Sequence, residues 1–520
     1  MATLAAITAG HELTAQAAEA ILHDGGNAFD ATLGGFFMAC VAEPVLASLG
    51  GGGFLLAHAA DTGDTTVFDF FTQTPGRKRP VAELDFEPVM VDFGSTTQEF
   101  HMGLGAIAVP GCVRGMFAVH RSLGSMPMRE IVRPALDAAR AGITVSALQA
   151  HVFSLVAPIY ITRPAPRALF ASCHNSGCIS QVGEVLRFND LADTLEVITI
   201  EGDDLFYCGE IAQLIHAQCE QGGGCITRDD LMRYEVFRRR PLTVGYRHTR
   251  LLTNPPPASG GCLVAFALKL VESLELHRSE FGSADHLSML AEVMKQTNAA
   301  RIEAVQEGDS ELASGLHRLL NPDVMTIYRE QVQGRMGVGR GTTHINVSDK
   351  HGNVASMTVS NGEGCGEIVP GTGLMLNNML GEEDLNPSGF HAWELDQRMS
   401  SMMAPSMVAL EDGRLIATGS GGSNRIRDAV LQVILNIVDF EMHAEQAVSS
   451  PRIHFENDVL YIEGGYEPSE IETLLTEFPH FREWDELSFF FGGAHTLVRG
   501  PRSVEGAGDP RRGGVCRISI

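Results

Sequence analysis

The chain has 520 residues, 44% of them hydrophobic, and 64 acidic against 38 basic residues give it a formal net charge of −26. Such an acidic surface repels nucleic-acid phosphates and anionic lipid headgroups, which argues against a nucleic-acid-binding or membrane-surface protein. The length alone suggests two to four domains, but no linker, low-complexity tract or internal repeat divides the sequence.

The N-terminus and the cysteines bear on the cellular compartment. The first residues lack the basic segment and apolar run of a secretion signal, and no apolar run approaches the roughly 20 residues that span a bilayer. None of the ten cysteines forms a Cys-x-x-Cys pair, and a core of this size needs no disulfide scaffold. We therefore expect a cytoplasmic protein with reduced thiols, or a periplasmic one if a signal has been removed.

One cysteine cluster invites comparison with metal sites. Cys173-His174 and Cys178 are close in sequence, but a second pair of ligands is missing, so we interpret this segment as a loop. The sequence thus predicts no metal and no organic cofactor.

Hydrophobic periodicity predicts alternating helices and strands. The predicted helices, in chain order, cover residues 12–23, 28–41, 136–141, 210–219, 284–305 and 426–440. A central strand is predicted at 54–57, directly after four glycines, and another at 242–246.

Beyond residue 342 the hydrophobic period changes to two, which is typical of strands. A turn at 350–353 separates two alternating runs and predicts a β-hairpin; the alternating positions are Ile345, Val347, Val354, Ser356, Thr358 and Ser360. A second hairpin is predicted around 411–414. Strands on both sides of residue 342, with helices before and after, suit one α/β unit in which two sheets pack between helical layers.

The segment Gly341-Thr342-Thr343-His344 opens the first of these strands. If the Gly341–Thr342 bond is cut, Thr342 becomes an N-terminus whose hydroxyl is a nucleophile and whose α-amine, with a pKa of about 7.7–8.0, is a base. Thr pairs at strand starts are common, so this motif taken alone also fits a structural Thr.

Ten further segments accompany this motif. They include Gly-Gly-Asn-Ala-Phe-Asp-Ala at 25–31, Leu-Gly-Gly-Gly-Gly-Phe at 49–54, Pro-Pro-Pro-Ala-Ser-Gly-Gly at 255–261 and Gly-Ser-Gly-Gly-Ser at 419–423, with others at 109–111, 349–353, 370–373, 376–378, 398–402 and 451–454. In this order, the set resembles the γ-glutamyltranspeptidase family of N-terminal-nucleophile hydrolases, from about residue 9 to about residue 515.

The resemblance implies a fold and a maturation step. The fold is a four-layer αββα sandwich, with two stacked, mainly antiparallel sheets between helical layers. Autocatalytic cleavage would give a large subunit, residues 1–341, and a small subunit, residues 342–520, which together form one intertwined domain.

The resemblance also implies catalytic roles. Thr342 would be the nucleophile, and Ser360 would support its amine and hydroxyl, with Thr358 two residues away on the same strand face. The N–H groups of Gly421 and Gly422 would form the oxyanion hole, helped by the positive end of the following helix. A glycine-rich turn before a helix also suits phosphate, but no P-loop lysine follows here.

Substrate contacts are predicted at a further set of positions. Twin serines that hold the substrate carboxylate in relatives match Ser400 and Ser401; the other predicted contacts are Thr358, Asn361, Glu382 and Phe71.

Three positions in the sequence depart from the family pattern. Phe71 stands where relatives carry the Arg that clamps the γ-glutamyl α-carboxylate, Gly362 replaces an Asn, and Met379 replaces a Gln or Glu. A bidentate Arg–carboxylate pair is not replaced by an aromatic ring, so the catalytic residues are kept while the glutamyl contacts are lost. Other cations are available in the sequence, at Arg398, Arg425 and residues 77–79, but the sequence does not place them.

Three functional hypotheses follow. The first is a self-processing γ-glutamyltranspeptidase-like amide hydrolase or acyltransferase. The second keeps this chemistry on a non-glutamyl amide, as an oxamate-type amidohydrolase or an acylase for dicarboxylic side chains. The third is an uncleaved, non-enzymatic binding protein. The expected partners are a small-molecule amide and the two subunits of the precursor, without nucleic acid or membrane.

Overall fold

Two antiparallel sheets, one of seven and one of six strands, form the centre of the chain. A computed structural model describes residues 4–92, 97–274, 276–306, 315, 318–320, 342–386 and 389–519. Gly341, on one side of the predicted cleavage site, lies outside the described residues.

The strands are numbered in chain order. They are β1 (Ala5–Ala9), β2 (Gly52–His58), β3 (Thr65–Phe70), β4 (Glu87–Asp92), β5 (Thr97–Met102), β6 (Ile143–Thr144), β7 (Val185–Leu186), β8 (Phe237–Arg239), β9 (Leu242–Tyr246), β10 (Thr249–Thr253), β11 (Thr343–Ser348), β12 (Val354–Ser360), β13 (Ile368–Val369), β14 (Leu374–Met375), β15 (Ser406–Leu410), β16 (Leu415–Gly421), β17 (Ile453–Glu456), β18 (Val459–Ile462), β19 (Phe481–Glu483), β20 (Gly493–Arg499), β21 (Val504–Ala507) and β22 (Val515–Ser519).

The helices are numbered in the same way. They are α1 (Glu12–His23), α2 (Ala28–Ala42), α3 (Cys112–Leu123), α4 (Met128–Ala141), α5 (Ala147–Ile161), α6 (Pro164–Phe170), α7 (Asn189–Glu201), α8 (Asp204–Tyr207), α9 (Glu210–Gly222), α10 (Arg228–Arg233), α11 (Ser259–Glu272), α12 (Ala284–Gln306), α13 (Arg425–Val438), α14 (Ala444–Ser449) and α15 (Pro468–Leu474).

The two main sheets stack face to face. The first has the strand order β22-β1-β11-β12-β2-β3-β8 and the second β21-β20-β16-β15-β10-β9. Strands β11 and β12 pack against β16 and β20 across the interface, while α1 and α2 cover the first sheet and α11 and α13 cover the second. The predicted four-layer αββα arrangement is confirmed.

The strands around the sandwich centre are buried on both faces. In β2, Leu55 and Ala57 belong to the apolar core shared with the helices, whereas Phe54 and Leu56 belong to a cluster that includes residues of the second sheet. In β11, Ile345 faces the helices in the same way. The predicted period of two is confirmed. Alternate residues of these strands face the helices and the second sheet, and neither side of the strands is exposed.

Most predicted elements lie where the periodicity placed them, with shifted ends. The helix predicted at 136–141 is the last part of α4, whose apolar pattern is interrupted by Pro134 inside the helix. The helix predicted at 426–440 ends at Val438. Of the helices in the described part of the chain, none combines the length and apolar character needed to cross a bilayer.

The turn between β11 and β12 joins the first sheet to its helical layer. The Asp349 carboxylate accepts hydrogen bonds from the main-chain N–H groups of His351, at 2.8 Å, and Asn353, at 3.1 Å. Its second oxygen accepts from the N–H of Ala28, at 3.0 Å, at the start of α2. One buried carboxylate thus closes the hairpin and satisfies a helix N–H group that has no partner within the helix.

We expect Asp349→Ala to lower the free energy of unfolding by about 1.5–3 kcal/mol, because hydrogen bonds to a buried charge are lost and the N–H of Ala28 stays buried. Asp61→Ala is the matched control, since Asp61 accepts a main-chain hydrogen bond from Thr62 in an exposed turn. Urea unfolding measures both variants. Equal midpoints for the two would contradict the assigned role of Asp349.

Candidate active site

Thr342 lies immediately before β11 and is 4% exposed. In the β11–β12 register Thr343 is opposite Val359, so continuing the register by one residue brings Thr342 opposite Ser360. Ser360 is in turn paired with Gly52 of β2. The predicted nucleophile and its predicted hydroxyl partner are therefore neighbours on adjacent strands.

The glycine pair at the end of β16 meets Thr342 from the second sheet. A methyl group built on Gly421 would lie 2.1 Å from the carbonyl oxygen of Thr342, so only glycine permits this approach. Gly422 has a φ of +127°, and α13 begins three residues later at Arg425. The predicted strand–glycine turn–helix arrangement is present, and it brings main-chain dipoles and a helix N-terminus to Thr342.

Two buried residues next to Thr342 anchor the start of β11. The Thr343 hydroxyl donates to the Glu43 carboxylate at 2.7 Å, and the other oxygen of Glu43 accepts from Thr14 at 2.8 Å. Beside it, the His344 ring bonds to the Thr358 hydroxyl, at 2.8 Å, and to Asn346, at 3.0 Å.

Burial, reinforced by the nearby His495, lowers the pKa of His344 to about 3, so its ring is neutral at physiological pH. The structure thus directs the hydroxyl of Thr358 to His344, inside the sandwich. A substrate contact for Thr358 remains a prediction, and the observed bond favours a supporting position under the site.

Asn361 follows Ser360 and is fully buried. Neither its amide oxygen nor its amide nitrogen has a hydrogen-bond partner among the residues that the structure describes. A buried amide left in this state is costly unless a ligand or water satisfies it, which fits the predicted substrate contact.

The exchange of Asn for Gly362 has a steric reason. Gly362 has a φ of +64°, and a methyl group there would lie 2.1 Å from the side-chain oxygen of Asn378 and 2.2 Å from a carboxylate oxygen of Glu382. Glu382, 4% exposed, therefore occupies the space that a side chain at 362 would need.

The twin serines lie at the N-terminus of α11. The main-chain oxygen of Ser401 accepts from the N–H groups of Ser259, at 2.9 Å, and Gly260, at 3.0 Å. The Ser401 hydroxyl accepts from the N–H of Met403, and the Ser400 hydroxyl donates to Ser259 at 3.4 Å. No described hydrogen bond links either serine to Thr342, so their predicted role as carboxylate ligands remains a prediction.

Phe71 is a core residue. Its ring is fully buried and stacks on Phe54, with 5.6 Å between centroids, in an apolar cluster that also contains Met379. Phe71 and Met379 are 0% and 1% exposed and pack against other side chains; the substrate contact expected at Phe71 remains a prediction.

Arg398 lies behind Phe71 but is committed to structural contacts. Its guanidinium donates to the carbonyl of Phe71, lies 3.6 Å from the Asp69 carboxylate and stacks 4.7 Å from the ring of Tyr234. It therefore does not replace the missing family Arg. Arg77 and Arg79 both pair with Glu220.

Another arginine, Arg512, does reach Thr342, and Arg425 lies near Arg512. Arg512 donates to the Thr342 carbonyl oxygen at 3.4 Å and stacks 3.9 Å over the ring of Phe489, while Arg425 stacks 4.5 Å over Phe490. Both arginines are 4% exposed. Burial, reinforced by the positive charge of Arg425, lowers the pKa of Arg512 to about 9.

Arg512 has guanidinium donors available for a ligand, and its main chain is anchored at Asp509. Its Nε and Nη2 have no hydrogen-bond partner within the described ranges. Its main-chain N–H donates to Asp509, whose carboxylate forms a 2.7 Å ion pair with Arg452. Sequence analysis missed Arg512 because it is 170 residues from Thr342 and no local pattern distinguishes it from the adjacent Arg511.

A protein of known structure shares this fold. A crystal structure of cephalosporin acylase from Bacillus halodurans superimposes with a TM-score of 0.84 at 23% identity, covering 99% of this chain and 95% of that one. Identity at this level supports the fold alone.

The sequence comparisons are more specific. The family model for gamma-glutamyltranspeptidase matches residues 14–518. The glutathione hydrolase proenzyme of Escherichia coli is 29% identical over 94% of this chain and 87% of its own length. The acylase ACY 1 proenzyme of a Pseudomonas species is also 29% identical, over 96% and 88%. The chain therefore belongs to the γ-glutamyltranspeptidase family and is an amide hydrolase or acyltransferase of that family.

We expect Gly421→Ala to block catalysis, because the added methyl group displaces either the Thr342 carbonyl or the glycine turn. Loss of one oxyanion donor costs about 10²–10³ in turnover, and the variant should lose at least that much. Gly245→Ala in β9 is the control, since a methyl group there meets no atom within 4 Å. Wild-type amide hydrolysis by Gly421→Ala would exclude the proposed geometry.

Proposed function

We propose that the protein is a self-processing amide hydrolase whose nucleophile is Thr342, released as an N-terminus by cleavage after Gly341. The observation that carries the proposal is the placement of Thr342, buried at the head of β11 with Ser360 opposite and Gly421 against its carbonyl. The cleavage gives subunits of residues 1–341 and 342–520.

Maturation and turnover use the same hydroxyl. In maturation the Thr342 hydroxyl attacks the carbonyl carbon of Gly341, the acyl group moves from nitrogen to oxygen, and water hydrolyses the resulting ester. In turnover the free α-amine accepts the hydroxyl proton while the oxygen attacks the substrate amide. The leaving amine takes that proton, and water or a second amine then releases the acyl group from Thr342.

The groups around Thr342 suit these steps. The N–H groups of Gly421 and Gly422, next to the start of α13, stabilise the oxyanion of each tetrahedral intermediate. Ser360 orients the amine and hydroxyl from the opposite strand. His344 is neutral, with a pKa of about 3, and bonds within the sandwich, so we assign the base function to the α-amine.

The cations next to Thr342 suggest the acyl group. Arg512 has unpartnered guanidinium nitrogens and lies close to Arg425, so the site attracts an anion. The position at which relatives carry the glutamyl-binding Arg is instead occupied by Phe71 in the core. We therefore favour an acyl group that carries a carboxylate but no α-amino group, as in an acylase for dicarboxylic side chains.

A γ-glutamyl substrate is the second candidate. The buried carboxylate of Glu382, beside Gly362, is a group that binds an ammonium. Overall similarity does not separate the two candidates, because the glutathione hydrolase and acylase relatives are each 29% identical.

All ten cysteines are unpaired in the structure. We propose a reducing, cytoplasmic location on the basis of cysteine usage. Fractionation of cells that express a tagged chain tests the compartment, and we expect the protein in the cytoplasmic fraction. Recovery in a periplasmic fraction would contradict the proposal.

We expect Thr342→Ala to remain a single 520-residue chain and to be inactive, because the hydroxyl needed for the acyl shift is gone. The wild type should show two chains on denaturing electrophoresis, with Thr342 at the N-terminus of the smaller one. Thr473→Ala, at an exposed position of α15, serves as the control. Cleavage of Thr342→Ala at the same bond would exclude this residue as the processing nucleophile.

Three p-nitroanilides separate the acyl preferences. Glutaryl-p-nitroanilide differs from the γ-glutamyl compound only by lacking the α-amino group, and valeryl-p-nitroanilide also replaces the carboxylate by a methyl group. We expect glutaryl to give the highest kcat/KM. The γ-glutamyl compound should be lower by about one to two orders of magnitude, since it keeps the carboxylate but its ammonium loses charge-assisted hydrogen bonds to water, at a cost of about 1.5–3 kcal/mol. The reverse order would favour the γ-glutamyl candidate.

The role of Arg512 predicts a pH dependence. Its pKa of about 9 means that its charge is present below that pH and lost above it. The ratio of kcat/KM for glutaryl over valeryl should therefore fall as pH rises through about 9, and titration of the Thr342 amine cancels in this ratio. Arg512→Met should lower the ratio and abolish its pH dependence. An unchanged ratio in Arg512→Met would show that the carboxylate binds elsewhere.

A further inference from the structure

A cluster of possible metal ligands lies on the loop between α6 and β7, which supplies none of the residues gathered around Thr342. Ala171 and Ile179 form an isolated bridge, and the N–H of Ser172 donates to the carbonyl of Cys178, so the loop folds back on itself. This turn brings Cys173 and His174 next to Glu184, which precedes β7. The predicted loop is present, and Glu184 is an additional potential ligand that the sequence did not reveal.

The ligand atoms are close to the separations that a single ion requires. The Cys173 Sγ lies 3.1 Å and the His174 Nε2 3.9 Å from Oε1 of Glu184, and all three atoms lie within 4.8 Å of one another. In a tetrahedral zinc site, with bonds of about 2.3 Å to sulfur and about 2.0–2.2 Å to nitrogen and oxygen, neighbouring ligand atoms are about 3.3–3.6 Å apart. A small adjustment of the exposed His174 side chain suffices to close the set.

Glu184 is already fixed in place by its surroundings. Its carboxylate accepts hydrogen bonds from the N–H of Gln181, at 2.6 Å, and from the hydroxyl of Ser172, at 2.8 Å. The N–H of Cys173 donates to the same oxygen as Ser172. Such outer contacts orient metal ligands in known sites.

We propose that Cys173, His174 and Glu184 bind a divalent zinc-like ion, with the fourth position open to water. The thiol of Cys173 gives up its proton to solvent, and the resulting thiolate, the neutral imidazole and the carboxylate complete a three-ligand set. Sulfur and imidazole ligands favour zinc, cobalt or copper over calcium and magnesium.

The site has a structural effect that is separate from amide hydrolysis. Residues 173 and 184 are eleven positions apart, and an ion between them ties the loop to the start of β7. Zinc binding should therefore raise the melting temperature of the protein, whereas dialysis against a chelator should leave turnover unchanged.

Cobalt is the most specific probe for this site. The full-length protein is reduced with a phosphine, dialysed against a chelator and titrated with Co²⁺, and the near-ultraviolet band of thiolate-to-cobalt charge transfer is recorded. Carboxylates on the acidic surface bind Co²⁺ without producing this band. We expect one equivalent of Co²⁺ to saturate it and Zn²⁺ to abolish it.

Variants identify the ligands. Cys173→Ser should lose the band, and Cys178→Ser should retain it, since Cys178 is exposed on the same loop but its thiol is outside the ligand group. His174→Ala changes an exposed side chain and should fold normally while binding Zn²⁺ at least about tenfold more weakly, because even outer-shell partners are worth about 10–100-fold in affinity. Absence of the band in the wild type would overturn the proposal, as would its retention in Cys173→Ser, its loss in Cys178→Ser or wild-type zinc affinity in His174→Ala.

Discussion

The close approach of two main chains between the stacked sheets determines the rest of the site. At Gly421 the β16 backbone lies against the Thr342 carbonyl, and at Gly419 a methyl group would lie 2.3 Å from the His344 ring. Side chains at these positions would push β16 away from β11 and separate the glycine turn from the nucleophile. The glycines of β16 therefore allow the two sheets to pack closely. This packing brings the glycine turn at the end of β16 next to Thr342, at the start of β11.

The same interface explains why polar residues can be buried here. The sheet-facing sides of β11 and β12 carry His344, Asn346 and Thr358, which satisfy one another by hydrogen bonds. Burial depresses the pKa of His344 to about 3, so the interior next to Thr342 contains a neutral ring. The buried charged residues include Arg425, Arg512 and Glu382. A substrate with a carboxylate therefore meets positive charge close to the proposed nucleophile.

Local pattern predicted much of this arrangement, because hairpins and glycine turns are determined by residues close in sequence. The β11–β12 hairpin, the second hairpin and the turn before α13 lie where the alternating positions and glycines indicated. Contacts between distant residues were not predictable. The alternation at Thr358 fits a strand facing either solvent or a second sheet, and only packing decides that its hydroxyl bonds to His344. Phe71 lies in the core because Phe54 and the methionines surround it, and Arg512 reaches Thr342 from the far end of the chain.

Identification of the covalent intermediate tests the central claim most directly. The enzyme is mixed with glutaryl-p-nitroanilide, quenched in acid during turnover, digested and sequenced by tandem mass spectrometry. A glutaryl group on the hydroxyl of an N-terminal Thr342 is the expected result. Turnover with the acyl group on Ser360, Ser400 or another residue, or on a Thr342 still joined to Gly341, would contradict the assignment of an N-terminal threonine nucleophile.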